Sequence, residues 1–180
     1  MCGVFGIRSR DREVSRLAYF GLFALQHRGQ ESAGIAVSDG GRLTVVRDMG
    51  LVAQVFNEQQ LQALPGELAI GHTRYSTTGA NRWANAQPLI HHGHARTVAL
   101  GHNGNLVNVE ELRAELTEDG VRLASGSDTE VIAALIAHDP APLREAVANA
   151  MARLEGAYSV TALVDDTLVA FRDPLGFRPL

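Results

Sequence analysis

The sequence predicts an α+β fold in which antiparallel sheets are covered by helices. Two pairs of strand-like stretches are joined by tight hairpin signals, Asp39-Gly40-Gly41 and Asp165-Asp166. The helical stretches come in groups instead of alternating singly with strands, which argues against a doubly wound parallel sheet. Finally, no repeat of solenoid length and no low-complexity tract divides the 180 residues, so one domain spanning residues 2–180 is expected.

The elements follow in order. Residues 3–8 are short, apolar and partly β-branched, as a strand requires. From Val14, the residues Val14, Leu17, Ala18, Leu22 and Leu25 recur at helical spacing, with Gly29 as a stop signal. Residues 33–37 and 43–47 flank the first hairpin turn. Strands are predicted over 67–73 and 97–102, each running into a polar cluster. Asn108 with Glu111, and Ser127 with Glu130, have the form of capping boxes that open two helices. A third helix is marked over 143–154 by the stripe Leu143, Ala146, Val147, Ala150, Met151 and Leu154. Residues 157–164 and 167–172 form the closing hairpin. The last ten residues, FRDPLGFRPL, carry no polar tail, and this apolar end suggests one part of a longer chain.

Composition narrows the function. A net charge of −4 and a pI near 5.9 give no electrostatic reason to expect a nucleic acid or an anionic membrane as partner. A single cysteine cannot make an internal disulfide, and no basic-then-apolar leader or long apolar run is present, so a cytoplasmic protein is expected.

That single cysteine is Cys2, in MCGVFG. If Met1 is trimmed, as is usual before a small side chain, one residue carries both a thiol and a free α-amine. The amine titrates at roughly 7.7–8.0 and the thiol at about 8.5, so the amine can take the thiol proton near neutral pH. Three further clusters offer what such a nucleophile needs. In GHNGNLVN, Asn103 and Gly104 present a side-chain amide and an uncrowded N–H, the two donors a developing oxyanion requires; a tight turn is the other reading of Asn-Gly. Arg74, at a strand end in GHTRYSTTG, can hold a carboxylate by two hydrogen bonds, or serve as a surface ion pair. Asp128, in the first turn of a helix, can accept from a substrate ammonium or simply cap the helix. Together they would grip both ends of an α-amino acid.

CGVFG, LQHRGQESAGIAV, GHTRYSTTG, GHNGNLVN, SDTE and FRDPLGFRPL occur in this order along the whole chain. In these motifs the sequence resembles the glutaminase domains (class II glutamine amidotransferase) of amidophosphoribosyltransferases. The resemblance implies an N-terminal-nucleophile hydrolase fold, a four-layer αββα sandwich. It implies that Cys2 is the nucleophile with its own amine as base, and that Asn103 and Gly104 are the oxyanion donors. Arg74 and Asp128 would bind the α-carboxylate and α-ammonium of glutamine, and Arg28 and Gly29 would line the site. Glutamine would be hydrolysed through a thioester. In the complete enzyme a phosphoribosyltransferase domain, absent from this chain, would add the ammonia to phosphoribosyl pyrophosphate at the first step of purine synthesis. No cofactor is expected in this domain. Mg²⁺ and, in some members, an iron–sulfur cluster belong to the absent part, and one cysteine could not ligate such a cluster. A homo-oligomer is compatible with this reading. Some members carry a propeptide ahead of the cysteine, where this chain has only Met1.

Four rival readings stand beside it. Glutaminase domains of the glucosamine-6-phosphate synthase type tend to read EYRGYDSAG and RWATHG, against QHRGQESAG and RYSTTG here. A Cys–His enzyme would use His72 or His102 as base. A metal site would draw on His91, His92 and His94, although no third ligand beyond a His92–His94 face is evident and a solvated loop is the alternative. A nonenzymatic regulatory module with an inactive site would have lost some of Cys2, Arg74, Asn103, Gly104 and Asp128, and all five are present.

Overall fold

The computed structural model describes residues 1–10, 13–75 and 83–180. Two four-stranded antiparallel sheets lie face to face. The first has strand order β1-β4-β2-β3, with β1 Gly3–Arg8, β2 Ser32–Asp39, β3 Arg42–Met49 and β4 Leu68–Arg74. The second has order β5-β6-β7-β8, with β5 Leu89–His92, β6 Thr97–Leu106, β7 Gly156–Val164 and β8 Thr167–Arg172.

Alternation along the strands sorts the side chains into three apolar layers. Ala33, Ile35, Val37 and Ala69 face the helices α1 (Val14–Ala24), α2 (Val52–Val55) and α3 (Glu58–Gln62). Val98, Leu100, Val160 and Ala162 face α4 (Val109–Glu118), α5 (Asp128–His138) and α6 (Leu143–Arg153). Ala36, Leu68, Ile70, Ala99 and Leu163 fill the space between the sheets. The result is the αββα order that the family resemblance implies.

Both hairpins form where the sequence marks them. Gly40 and Gly41 take φ of +56° and +86°, the left-handed pair that a two-residue hairpin turn demands, and Asp165 takes φ of +50°. α5 is buried along almost its whole length, so its polar N-terminus is held rigidly against the second sheet.

Three expectations need correction. The two capping boxes do not form as such. Asn108 spends its side chain on α6, donating to the Arg153 carbonyl at 2.9 Å and accepting from the Glu155 N–H at 3.1 Å. Ser127 does cap α5, accepting from the Thr129 N–H at 3.2 Å, but the Glu130 carboxylate turns to the N–H groups of Ala124 and Ser125 instead of reaching back to Ser127. A reciprocal box is found at α3, where Asn57 and Gln60 exchange bonds of 2.8 and 2.9 Å. Finally, β6 does not stop at His102. It continues through Asn103 and Gly104 to Leu106, so Asn-Gly is here a strand interior and not a turn.

Candidate active site

Strand parity aims the groups. In β4, Ile70 fills the inter-sheet layer and His72 lies two residues further on the same face. His72 donates from Nε2 to the His102 carbonyl at 3.0 Å, a buried link from one sheet to the other. Burial pushes the His72 imidazole down to about 4, with the neighbouring Arg74 charge acting the same way and the His102 bond opposing both. Arg74 is the last residue of β4, almost fully buried, with its guanidinium 3.5 Å from the Glu31 carboxylate. In β6, Ala99 fills the inter-sheet layer and Asn103 lies two pairs further on that face, whereas His102 shares the face of Val98 and Leu100, toward α5.

Cys2, one residue ahead of β1, meets Asn103 across the gap. Its backbone nitrogen donates to Asn103 Oδ1 at 3.1 Å, its carbonyl accepts from Arg28 Nε at 3.0 Å, and its Sγ lies 3.6 Å from the Tyr75 carbonyl. Because Oδ1 is committed to Cys2, the Asn103 amide nitrogen is the end left to act as a donor. Gly29 is buried against the backbone of β4. A Cβ there would come within 2.6 Å of the Arg74 carbonyl carbon, so only glycine lets the HRG turn pack under that arginine.

The free edge of β6 supplies the second donor. Alternate N–H groups of a strand point to opposite edges. β5 pairs with β6 only as far as Leu100. Beyond that point the His102 N–H donates to Gln87 Oε1 at 2.7 Å, and the Leu106 N–H donates to the Asp128 carboxylate. The Gly104 N–H has the same parity and points to the same open side, between the two. A Cβ at residue 104 would lie 2.2 Å from the Ala157 carbonyl oxygen and 2.7 Å from His102 Nε2, so a side chain has no room.

These groups border a cavity of about 400 Å³ whose lining includes Cys2, Arg74, Gln87, Gly104, Ser127 and Asp128. Burial alone would raise the Asp128 carboxyl. The His102 contact together with the Leu106 and Thr129 N–H groups outweighs it and holds the carboxyl below its ordinary range, so Asp128 is an anion at neutral pH. The cavity lining therefore combines a cation, Arg74, an anion, Asp128, and the thiol-bearing Cys2. Cys2 also borders a second, more apolar cavity of about 400 Å³, shared with Asn103, Arg28, Phe5, Leu168 and Leu180.

Of the seven residues singled out in the sequence, Cys2, Arg74, Gly104 and Asp128 border the polar cavity. Asn103 and Arg28 touch Cys2 from its other side, and Gly29 lies beneath Arg74. Tyr75, Asn85, Gln87 and the positioning of Arg74 by Glu31 were not legible. They depend on long-range pairing, and no spacing rule marks them. The 76–79 part of GHTRYSTTG lies outside the described residues. Neither histidine next to a motif meets the thiol: His72 is bonded to a carbonyl and His102 faces Asp128.

The histidine-rich stretch is also rearranged. His91 and His92 belong to β5 and not to a solvated loop, and alternation buries His91 while exposing His92. His91 and His94 pair instead with opposite edges of the His138 ring, at 3.1 and 3.0 Å, so their nitrogens do not converge. Among the described residues no group of three His, Cys, Asp or Glu side chains is arranged to hold a metal ion. Nor, among them, is any helix long and apolar enough to cross a membrane.

A family model described as "glutamine amidotransferase domain" matches residues 72–180. The amidophosphoribosyltransferase of Synechococcus elongatus is 52% identical over 182 residues, covering 99% of this chain and 37% of the relative. That of Mycobacterium tuberculosis is 48% identical over 187 residues, with 99% and 36% covered. The structure of glutamine phosphoribosylpyrophosphate amidotransferase from B. subtilis, complexed with ADP and GMP, superposes with a TM-score of 0.88 at 39% identity, covering 99% of this chain and 38% of that one. A predicted glutamine amidotransferase from Pseudomonas aeruginosa, 18% identical with a TM-score of 0.50 over 80% of this chain and 60% of its own, shares the fold. The chain spans little more than a third of the length of the amidophosphoribosyltransferases it matches.

Proposed function

We propose, for a chain that belongs to the glutamine amidotransferase domain family, that it splits the side-chain amide of glutamine with Cys2 and is the ammonia-producing part of an amidophosphoribosyltransferase. The observation that carries this is the 3.1 Å bond from the Cys2 nitrogen to Asn103 Oδ1. When Met1 is removed, that nitrogen becomes an α-amine already oriented by the residue that offers its other amide end to the oxyanion.

The chemistry follows from the groups in reach. Donating one N–H to Asn103 leaves the neutral amine a lone pair for the thiol proton, which the sulfur turns away from the Tyr75 carbonyl to give up. The thiolate attacks the amide carbon of glutamine. The tetrahedral oxyanion is met by Asn103 Nδ2 and the Gly104 N–H, each worth about 100- to 1,000-fold in rate. The amine then passes its proton to the departing ammonia, and water hydrolyses the thioester. Arg74 holds the α-carboxylate and Asp128 the α-ammonium; Arg74 is buried beside the Glu31 carboxylate, and the half-buried Asp128 faces the His102 ring. Arg28 fixes the Cys2 carbonyl, and Gly29 admits the Arg74 backbone.

The ammonia then passes to the phosphoribosyltransferase part of the longer enzyme, where phosphoribosyl pyrophosphate accepts it. Mg²⁺ and any iron–sulfur cluster belong there, because a single cysteine offers no cluster ligation on this chain. We place the protein in the cytoplasm, and assembly of the full enzyme into a homo-oligomer is compatible with this reading. The high identity to amidophosphoribosyltransferases favours this acceptor over the glucosamine-6-phosphate type.

Ammonia release from glutamine tests the reading. Protein whose first residue is Cys2 is expected to turn over glutamine. The same protein with Met1 retained by an uncleaved N-terminal extension is expected to lose turnover. Equal activity in both forms would refute the amine as base.

A further inference from the structure

We infer that His102 is a positioning residue that fixes Asp128 for the ammonium group of the substrate, an inference that rests on the glutaminase reading above. The His102 ring is only 2% exposed, and its Nδ1 stands 3.4 Å from Asp128 Oδ1 and 3.5 Å from Thr129 Oγ1. Its backbone is fixed at both ends, the N–H by Gln87 and the carbonyl by His72. The ring therefore cannot shift without disturbing both the β6 edge and the link between the sheets. Its other nitrogen, Nε2, is buried with no hydrogen-bond partner among the described residues and lies beside the space over Gly104. A buried nitrogen in this state is costly, and a merely space-filling role would be met more cheaply by an apolar ring.

The geometry assigns a division of labour. Nδ1–H faces the carboxylate, which also accepts from the Leu106 and Thr129 N–H groups. With these donors set, the remaining lone pairs of Asp128 are aimed at the cavity, where an α-ammonium can take them. Nε2 lies beside Gly104, and both residues line the cavity. His102 thus ties the group that recognises the amino acid to the strand that carries the oxyanion donors. At the other end of the substrate Glu31 stands 3.5 Å from the Arg74 guanidinium, as His102 stands beside Asp128.

A pair of near-isosteric replacements isolates this role. In His102→Asn the amide nitrogen falls near Nδ1 and keeps the contact to Asp128, whereas in His102→Gln it falls near Nε2 and loses it. The expected result with the Cys2-terminal protein is a glutamine KM within a few-fold of the parent for His102→Asn. For His102→Gln, KM should rise roughly tenfold to a hundredfold with kcat changed much less, the loss of one charge-assisted hydrogen bond. With 4-carbamoylbutanoate, which lacks the α-amine, the parent and His102→Gln should not differ. Adding Asp128→Asn to His102→Gln should raise KM by less than Asp128→Asn raises it in the parent, since His102 acts through Asp128. Equal effects of Asn and Gln, a fall in kcat at constant KM, or full additivity with Asp128→Asn would overturn the inference. A parent protein that does not hydrolyse glutamine at all would instead overturn the reading on which it rests.

Discussion

In the first sheet the functional groups stand at strand ends, with Cys2 one residue ahead of β1 and Arg74 the last residue of β4. In the second sheet Asn103 and Gly104 sit inside β6, paired across the ladder with Ser159 and Tyr158 of β7. The difference matches what each side has to do. An oxyanion donor stabilises charge only if it is already in place, and a residue inside a ladder, backed by the buried helix α5, has little freedom to move away. A nucleophile and a carboxylate clamp must instead reach a substrate that enters and leaves, and a strand end puts a side chain at the mouth of the sandwich. Cys2 is held by backbone bonds to Asn103 and Arg28, while its sulfur stays free of any tight contact.

The largest effect should come from the first sheet. Cys2→Ala is expected to abolish glutamine hydrolysis, a loss of about four to six orders of magnitude, without lowering the melting temperature, because the half-buried side chain supports no core. A melting temperature that fell with activity would mean the residue is structural. Next come the donors in the second sheet. Asn103→Ala should cost about 100- to 1,000-fold in kcat. Gly104→Ala should cost activity and stability together, about 1–3 kcal/mol, since its methyl group would lie 2.2 Å from the Ala157 carbonyl. Were Gly104→Ala as stable as the parent in denaturant unfolding, the tight ladder described above would be wrong.

The bond between the sheets gives a smaller effect with a defined sign. His72 titrates at about 4 in the fold, below its ordinary range, so the folded state favours the neutral ring. The unfolded chain binds that proton first. Stability is therefore full above about pH 6.5 and falls as pH drops from there toward 4. Glu130, held to about 2 by His91 and the N–H and hydroxyl donors of Ala124 and Ser125 despite burial, adds a second loss between about pH 4.5 and 2. Thermal melts across these ranges should show both limbs, and His72→Gln should flatten the first while sparing the second. The smallest expected change is far from the site: Asn57→Ala removes the α3 cap and should cost about 1 kcal/mol with no change in kcat.

Much of this arrangement could be read from the residues. β1 falls on the stretch expected, both hairpins turn where Asp-Gly-Gly and Asp-Asp mark them, and α6 follows its apolar stripe. These are local signals, set by backbone conformation and periodicity. What was not legible depends on partners distant in sequence. Asn-Gly is a strong turn signal, yet at residues 103–104 pairing with β7 overrides it. Asn108 fits a capping box, yet α6 claims its side chain. His91 and His94 meet on His138 because β5 packs on α5, which no spacing within IHHGHAR could reveal. In the site, residue types identified Cys2, Asn103, Gly104, Arg74 and Asp128, while Gln87, Tyr75 and Glu31 enter only through the fold.

Labelling by 6-diazo-5-oxo-L-norleucine, a reactive glutamine analogue, tests the central claim most directly. Intact-mass and peptide-mass analysis of the Cys2-terminal protein should find one adduct, on Cys2, suppressed by excess glutamine and greatly slowed in Asn103→Ala. An adduct on another residue, or labelling of Cys2 at the same rate whether or not glutamine is present, would contradict it.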